Sequence, residues 1–106
     1  MLEEKYNEKE PVPFDSLDDD LKVKMRSLYI FLRPLNKLEG ELNIWCLKKM
    51  MEGNEQDIKK LVKAGYLNER IEKKGKNTVR FYRINPKAIE ILKSNLNYSY
   101  GIILNL

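Results

Sequence analysis

Leu17, Leu21, Met25, Leu28, Leu32 and Leu35 follow one another at spacings of 4, 4, 3, 4 and 3, the rhythm of a helical stripe. Tyr29, Ile30 and Phe31 broaden it, and Pro34 predicts an end near Arg33. Asp15 or Ser16 offers the N-cap, and Asp18, Asp19 and Asp20 fall in the first turn, where the helix dipole favours acids. A second helix is predicted over 41–51, with Leu42, Trp45, Cys46, Leu47, Met50 and Met51 apolar and Lys48 and Lys49 on the wet side. Trp45 and Cys46 are expected in its core-facing side. Residues 36–41 connect the two helices around Gly40, with room for a very short strand. Gly53 ends the second helix and Asn54 caps a third over 55–64, with Ile58, Leu61 and Val62 inward and Lys59, Lys60 and Lys63 outward. Gly65 closes it.

The period then changes from 3.6 to 2. Residues 66–73 read as a strand with Leu67 and Ile71 on one face, folded back over Ile58 and Leu61. Lys74-Gly75-Lys76-Asn77 is a turn, and residues 78–84, rich in β-branched and aromatic side chains, form the return strand. Phe81 and Tyr82, adjacent on that strand, point to opposite faces, which sends at least one of them into the core rather than to a base-stacking platform. Asn85-Pro86 starts a fourth helix that runs to about Leu96, with Ala88, Ile91, Leu92 and Leu96 apolar. Residues 1–14, broken by Pro11 and Pro13, read as a flexible acidic tail. The domain proper is expected over 15–96. Residues 97–106 carry no charge and six large apolar or aromatic side chains, and such a segment needs a surface to pack on.

Charge sharpens this outline. The chain of 106 residues is 34% charged and has a net charge of +4, but the charge is unevenly placed. Residues 1–20 hold two lysines against eight acids, a net of −6, and residues 21–106 hold eighteen basic and eight acidic residues, a net of +10. A basic body favours a polyanionic partner through Coulomb attraction and counterion release. Between Arg70 and Arg83 the hairpin alone has six cations (Arg70, Lys73, Lys74, Lys76, Arg80, Arg83) and one acid, Glu72.

Several function classes fall away. There is no histidine, one cysteine and no Gly-rich phosphate loop, so neither catalysis nor a cofactor or metal site is expected. The run Asp18-Asp19-Asp20 does not converge on one ion, because successive helix positions point apart. No apolar stretch reaches the roughly 20 residues of a membrane span. The polar start MLEEKYNEKE does not read as a signal peptide, and a cytoplasmic protein is expected.

Ile58-Lys-Lys-Leu61-Val-Lys-Ala64-Gly65-Tyr66-Leu67, then Arg70-Ile71, Lys73-Lys74-Gly75-Lys76 and Phe81-Tyr82-Arg83-Ile84 resemble the third helix and wing of winged helix-turn-helix regulators of prokaryotes and viruses. The resemblance covers about residues 54–90. It implies an α+β fold, a three-helix core with a two-stranded β-hairpin wing and a C-terminal helix. It also implies a sequence-specific double-stranded DNA-binding protein, most simply a transcriptional regulator. A homodimer on a palindromic site is expected, since one short helix and a wing bury little surface. Lys59, Lys60, Lys63, Arg70, Lys73, Lys74, Lys76 and Arg80 are the candidate phosphate contacts, and Asn54 and Gln56 the candidate base readers. Tyr98, Tyr100, Ile102, Ile103 and Leu104 are the candidate dimer contacts, with the first helix beside them. The turn Gly53-Asn54-Glu55-Gln56-Asp57 departs from the family's Ser/Thr/Arg-rich start and places two acids where phosphates would lie. Other outcomes of the same pattern are a plasmid or viral partition or replication protein that binds DNA, and a winged-helix protein-interaction module that does not. An acidic tail laid over the basic face as a mimic of nucleic acid is a further expectation.

Overall fold

The structure, a computed structural model, describes Tyr6 and residues 8–99, with side chains as far as Asn95. A 3-10 turn at Phe14–Ser16 precedes α1 (Asp19–Leu32), β1 (Leu42–Asn43), α2 (Ile44–Met51), α3 (Glu55–Lys63), β2 (Leu67–Lys74), β3 (Asn77–Ile84) and α4 (Pro86–Ser99). The three strands form one antiparallel sheet in the order β1-β3-β2. This is an α+β architecture in which α1 packs on α2 and α4, α2 on β1 and β3, and α3 on the start of β2.

The stripe of α1 is buried as its spacing demands. Leu17, Leu21, Met25, Leu28, Tyr29 and Leu32 join Leu47, Met51, Ile58, Leu61, Tyr66, Leu67, Tyr82, Ile84, Ala88 and Leu92 in one core. Its edges differ from expectation. The N-cap position is Asp18, not Asp15 or Ser16, because Phe14 turns into the core through the 3-10 segment and delays the helix. Ile30, Phe31 and Leu35 remain exposed. The stripe is therefore narrower than nine apolar residues suggest, since α2 and α4 cover only one side of α1.

In α2 the correction is larger. Leu42 and Asn43 pair with Tyr82 and Phe81 as β1, so the helix starts at Ile44 and has eight residues. Leu47 and Met51 are its buried pair, one turn apart. Trp45, a quarter-turn from Ile44, is 74% exposed, and Cys46 is exposed beside it. Neither is the core residue expected. Glu52 takes a left-handed conformation (φ 51°), which satisfies the last carbonyls of α2, and Asn54 then caps α3.

β2 and β3 pair from Leu67↔Ile84 at the base to Lys74↔Asn77 at the tip. Gly75 stands at φ 63° in the first position of a two-residue loop, where a right-twisted hairpin needs positive φ. Only the base of the hairpin is covered by helices. Leu67 is buried, while Ile71, expected over α3, is half exposed because it lies beyond the end of the core.

The segment ahead of Phe14, expected as a free tail, is fastened to this base over its described residues. Val12 N–H donates to the Ala64 carbonyl at 2.9 Å, and the Tyr66 hydroxyl to the Val12 carbonyl at 2.7 Å. Asn85 is fully buried, and its Nδ2 donates both to the Lys9 and to the Gly65 carbonyl at 2.8 Å, while its Oδ1 caps α4 through Lys87 N–H. Gly65, at φ 87°, has no room for a Cβ, which would lie 2.8 Å from the Glu10 carbonyl oxygen and from Pro11 Cα. Among the described residues, no helix is long and apolar enough to cross a membrane.

Candidate functional site

The alternation of side chains along β2 and β3 sorts the hairpin's cations onto two faces. On one face lie Asn68, Arg70, Glu72 and Lys74 opposite Arg83, Phe81, Val79 and Asn77. The other carries Glu69, Ile71 and Lys73 opposite Tyr82, Arg80 and Thr78, and it continues into the core through Leu67 and Ile84.

The first face is internally neutralised. Arg70 grips Glu41 with its Nε and Nη2 at 2.7 and 3.0 Å, reaches Glu72 at 3.0 Å and lies 4.4 Å over the Phe81 ring. Glu41 also accepts from the Tyr6 hydroxyl. Arg70 holds the Glu41 carboxyl below its ordinary range, and Tyr6 adds to the effect. Burial and that same bond to Glu41 push the Tyr6 phenol up to about 12. Arg83 pairs with Glu8 at 2.8 Å and stacks 4.0 Å from the Tyr6 ring. Lys74 lies 3.4 Å from Glu72 and is two-thirds exposed. Arg70, a candidate phosphate contact, is thus a structural cation, and its side chain is only 10% exposed.

The second face meets α3. Arg80 and Tyr82 line a notch with Ile44, Glu55, Ile58 and Lys59, about 240 Å³ in volume. Tyr82 is buried, and its hydroxyl donates to Glu69 at 2.7 Å; burial first, and then that carboxylate, push its phenol up to about 12. Arg80 is half exposed, with Glu69 at 3.4 Å. Lys73 and Lys76 extend toward the tip. Among the described residues, no ion pair forms at Lys59, Lys60, Lys63, Lys73 or Lys76.

The start of α3 differs from its sequence reading. Asn54 Oδ1 accepts from Asp57 N–H and Asp57 Oδ2 from Asn54 N–H, both at 3.0 Å, a reciprocal capping box. Asp57 is turned inward, 2.9 Å from the Lys24 ammonium of α1. Burial alone would raise its carboxyl, but Lys24 and the Asn54 amide outweigh that and hold it low. One of the two acids thought to oppose phosphates is therefore buried and paired, and only Glu55 faces out. Asn54, a candidate base reader, spends its carbonyl oxygen on the cap. Gln56 is exposed.

The structure thus brings Lys59 and Arg80 together, with Lys73 and Lys76 beyond them, and separates Arg70 from them by the thickness of the hairpin. Lys63 sits at the opposite end of α3, its carbonyl accepting from Lys9 beside the N-terminal segment. Tyr100, Ile102, Ile103 and Leu104, and the side chain of Tyr98, lie outside the described residues. Lys48 and Lys49 were expected outside and Trp45 in the core; Trp45 instead stands exposed with Lys49, beside a partly buried Lys48. The signal was present in the spacing of Ile44, Leu47 and Met51, which leaves Trp45 and Lys49 on the opposite side, but it emerges only once 42–43 is removed from the helix. Among the described residues, no group of three Cys, Asp or Glu side chains could hold a metal ion.

No family model matches the chain, and no curated protein or solved structure gives a significant match to it.

Proposed function

We propose that the chain is a winged helix-turn-helix module that binds double-stranded DNA in a sequence-dependent way, most simply as a transcriptional regulator. The element order α1-β1-α2-α3-β2-β3-α4 and the strand order β1-β3-β2 are those expected of such a module. The observation that carries the reading is the juxtaposition of Lys59 on α3 with Arg80 on the hairpin, continued by Lys73 and Lys76. A helix and a hairpin presenting cations side by side, Lys59, Lys73 and Lys76 without an ion pair among the described residues and Arg80 half exposed beside Glu69, can neutralise phosphates on both sides of a groove. Gln56, exposed in the first turn of α3, is then the best placed base reader, with adenine as its natural partner. The inward turn of Asp57 removes a charge that would have opposed this.

The module acts as a homodimer in this proposal. Val23, Ile30 and Phe31, exposed along one side of α1, give a second copy an apolar surface. Two copies predict a palindromic site with half-sites about 10 bp apart or a multiple of it.

The test is duplex binding followed by fluorescence anisotropy across a salt series. The observed constant should fall steeply with salt, and Lys59→Gln, Lys73→Gln and Lys76→Gln should each reduce the log–log slope by about one. Binding that is absent at low salt, or indifferent to salt, would reject the reading.

A further inference from the structure

Trp45 stands on the outer face of α2 with 74% of its surface exposed, and the Lys48 ammonium lies 4.9 Å from its ring centroid. Together with Lys49, Cys46, Gly53 and Asn54 it lines a shallow concavity of about 530 Å³. This hollow adjoins the notch already described: Ile44, the residue before Trp45, lines that notch with Lys59 and Arg80, and Asn54 precedes Glu55 between the two. The cationic surface therefore continues past the start of α3, on the side the hairpin does not reach. Lys48 and Lys49 supply its charge there, and Lys48 has the largely exposed carboxylate of Glu55 at 4.0 Å.

Resting on the DNA-binding reading, we propose that Trp45, Lys48 and Lys49 form a second backbone contact for duplex DNA. The indole lies against a deoxyribose, its Nε1–H donates to the adjoining phosphate, and the two lysines neutralise that strand. The chemistry fits each part. A stacked duplex offers no free base face to a ring on a convex helix, but it does offer sugars. Indole combines an apolar face with a single donor and no acceptor, which suits a sugar beside an anion. Lys48 exchanges a long, solvated pair with Glu55 for a phosphate. The complex is then held at both ends, by the wing on one side of α3 and by Trp45 on the other.

Trp45 is the only tryptophan of the chain, so its fluorescence reads this site directly in the unmodified protein. Binding is followed in parallel by the anisotropy of a labelled duplex. Emission of the free protein should be that of a water-exposed indole. Saturating duplex should shift or quench it, and should lower its accessibility to acrylamide by about twofold or more, as expected of a ring taken from water into contact. Trp45→Ala should weaken binding roughly tenfold, the scale of one packed aromatic contact, with no change in salt slope. Lys49→Gln should reduce the slope by about one. Full binding by anisotropy with Trp45 emission and quenching unchanged would overturn the proposal and leave the DNA reading standing. No binding to duplex at low salt would overturn both. Emission that follows protein concentration instead of DNA would overturn it by assigning the ring to a contact between copies.

Discussion

At the scale of single residues, Asp57 and Asn68 show opposite uses of burial. Asp57 is 7% exposed, yet both its backbone and its carboxylate are satisfied, by Asn54 and Lys24. Removing its charge leaves Lys24 with Asp20 alone. Asp57→Asn should cost about 1–3 kcal/mol in urea unfolding at neutral pH. The native carboxyl is more acidic than the unfolded one, so the stability it contributes is present above the unfolded value near 4 and is lost as pH falls through the lower folded value. The gap between wild type and Asp57→Asn should therefore close below about pH 4; a gap that persists there would refute the ion pair's role. Asn68 is 1% exposed, and among the described residues neither its Oδ1 nor its Nδ2 finds a hydrogen-bond partner. Such a group costs about 1–3 kcal/mol, and Asn68→Val, a good strand former, should raise Tm by a few degrees in a thermal melt. A lowered Tm would mean the amide has a stabilising role. Neither environment is visible locally. In sequence Asp57 is an acid in a helix's first turn and Asn68 a polar strand residue; Lys24, 33 positions upstream of Asp57, decides the first, and burial at the base of the sheet, opposite Arg83, decides the second.

At the scale of elements, the hairpin is the clearest case of a motif whose count misleads. Six cations between 70 and 83 look like one basic surface, but the pleat divides them, and Glu41, Glu72 and Glu8 neutralise one side. Arg70→Gln and Arg80→Gln should accordingly differ in kind. Arg80→Gln should lower the salt slope of DNA binding by about one and leave Tm nearly unchanged. Arg70→Gln should lower Tm and leave the slope as it was, because it unties β2 from Glu41. Equal effects of the two on the slope would contradict the division of faces. The strands, the turn at Gly75 and the opposed directions of Phe81 and Tyr82 were legible from period 2 and turn chemistry. The partners of each arginine were not, because Glu41 and Glu8 arrive from other parts of the chain. For α2, the short β1 was the obstacle: pairing with β3 takes Leu42 and Asn43 out of the helix, and the buried stripe then excludes Trp45.

At the scale of the whole molecule, the N-terminal segment is a strap across the base of the hairpin. Its backbone bonds to Ala64, Tyr66 and Asn85 fix it in place, and its acids, Glu8 and Glu10, sit against Arg83 and Lys87. Gly65 is where strap and body pass closest. Gly65→Ala adds a Cβ against the strap's backbone and forces a left-handed residue, so it should destabilise by more than about 1 kcal/mol. Proteolysis should then cut near Pro11 faster than in wild type; unchanged rates would mean the strap yields without detaching. The double variant Glu8→Gln, Glu10→Gln keeps the strap's backbone and removes its charge. Weak, non-specific duplex binding should tighten by a few-fold at low salt, since screened charges of this kind act over about a Debye length. No change in low-salt affinity would show that the strap's acids do not compete with DNA.

The sequence by itself determined the α1 stripe, α3 with its Asn54 cap and Gly65 stop, the hairpin and the Asn85-Pro86 start of α4. Each is set by interactions within a few residues: periodicity, capping and turn geometry. Tertiary structure alone decided which charges are spent and which are free. It turned Asp57 and Arg70 into structural groups, laid the strap on Gly65, moved Trp45 outside and placed Lys59 beside Arg80. Those outcomes depend on partners far apart along the chain, whose meeting is fixed by how the helices pack on the sheet.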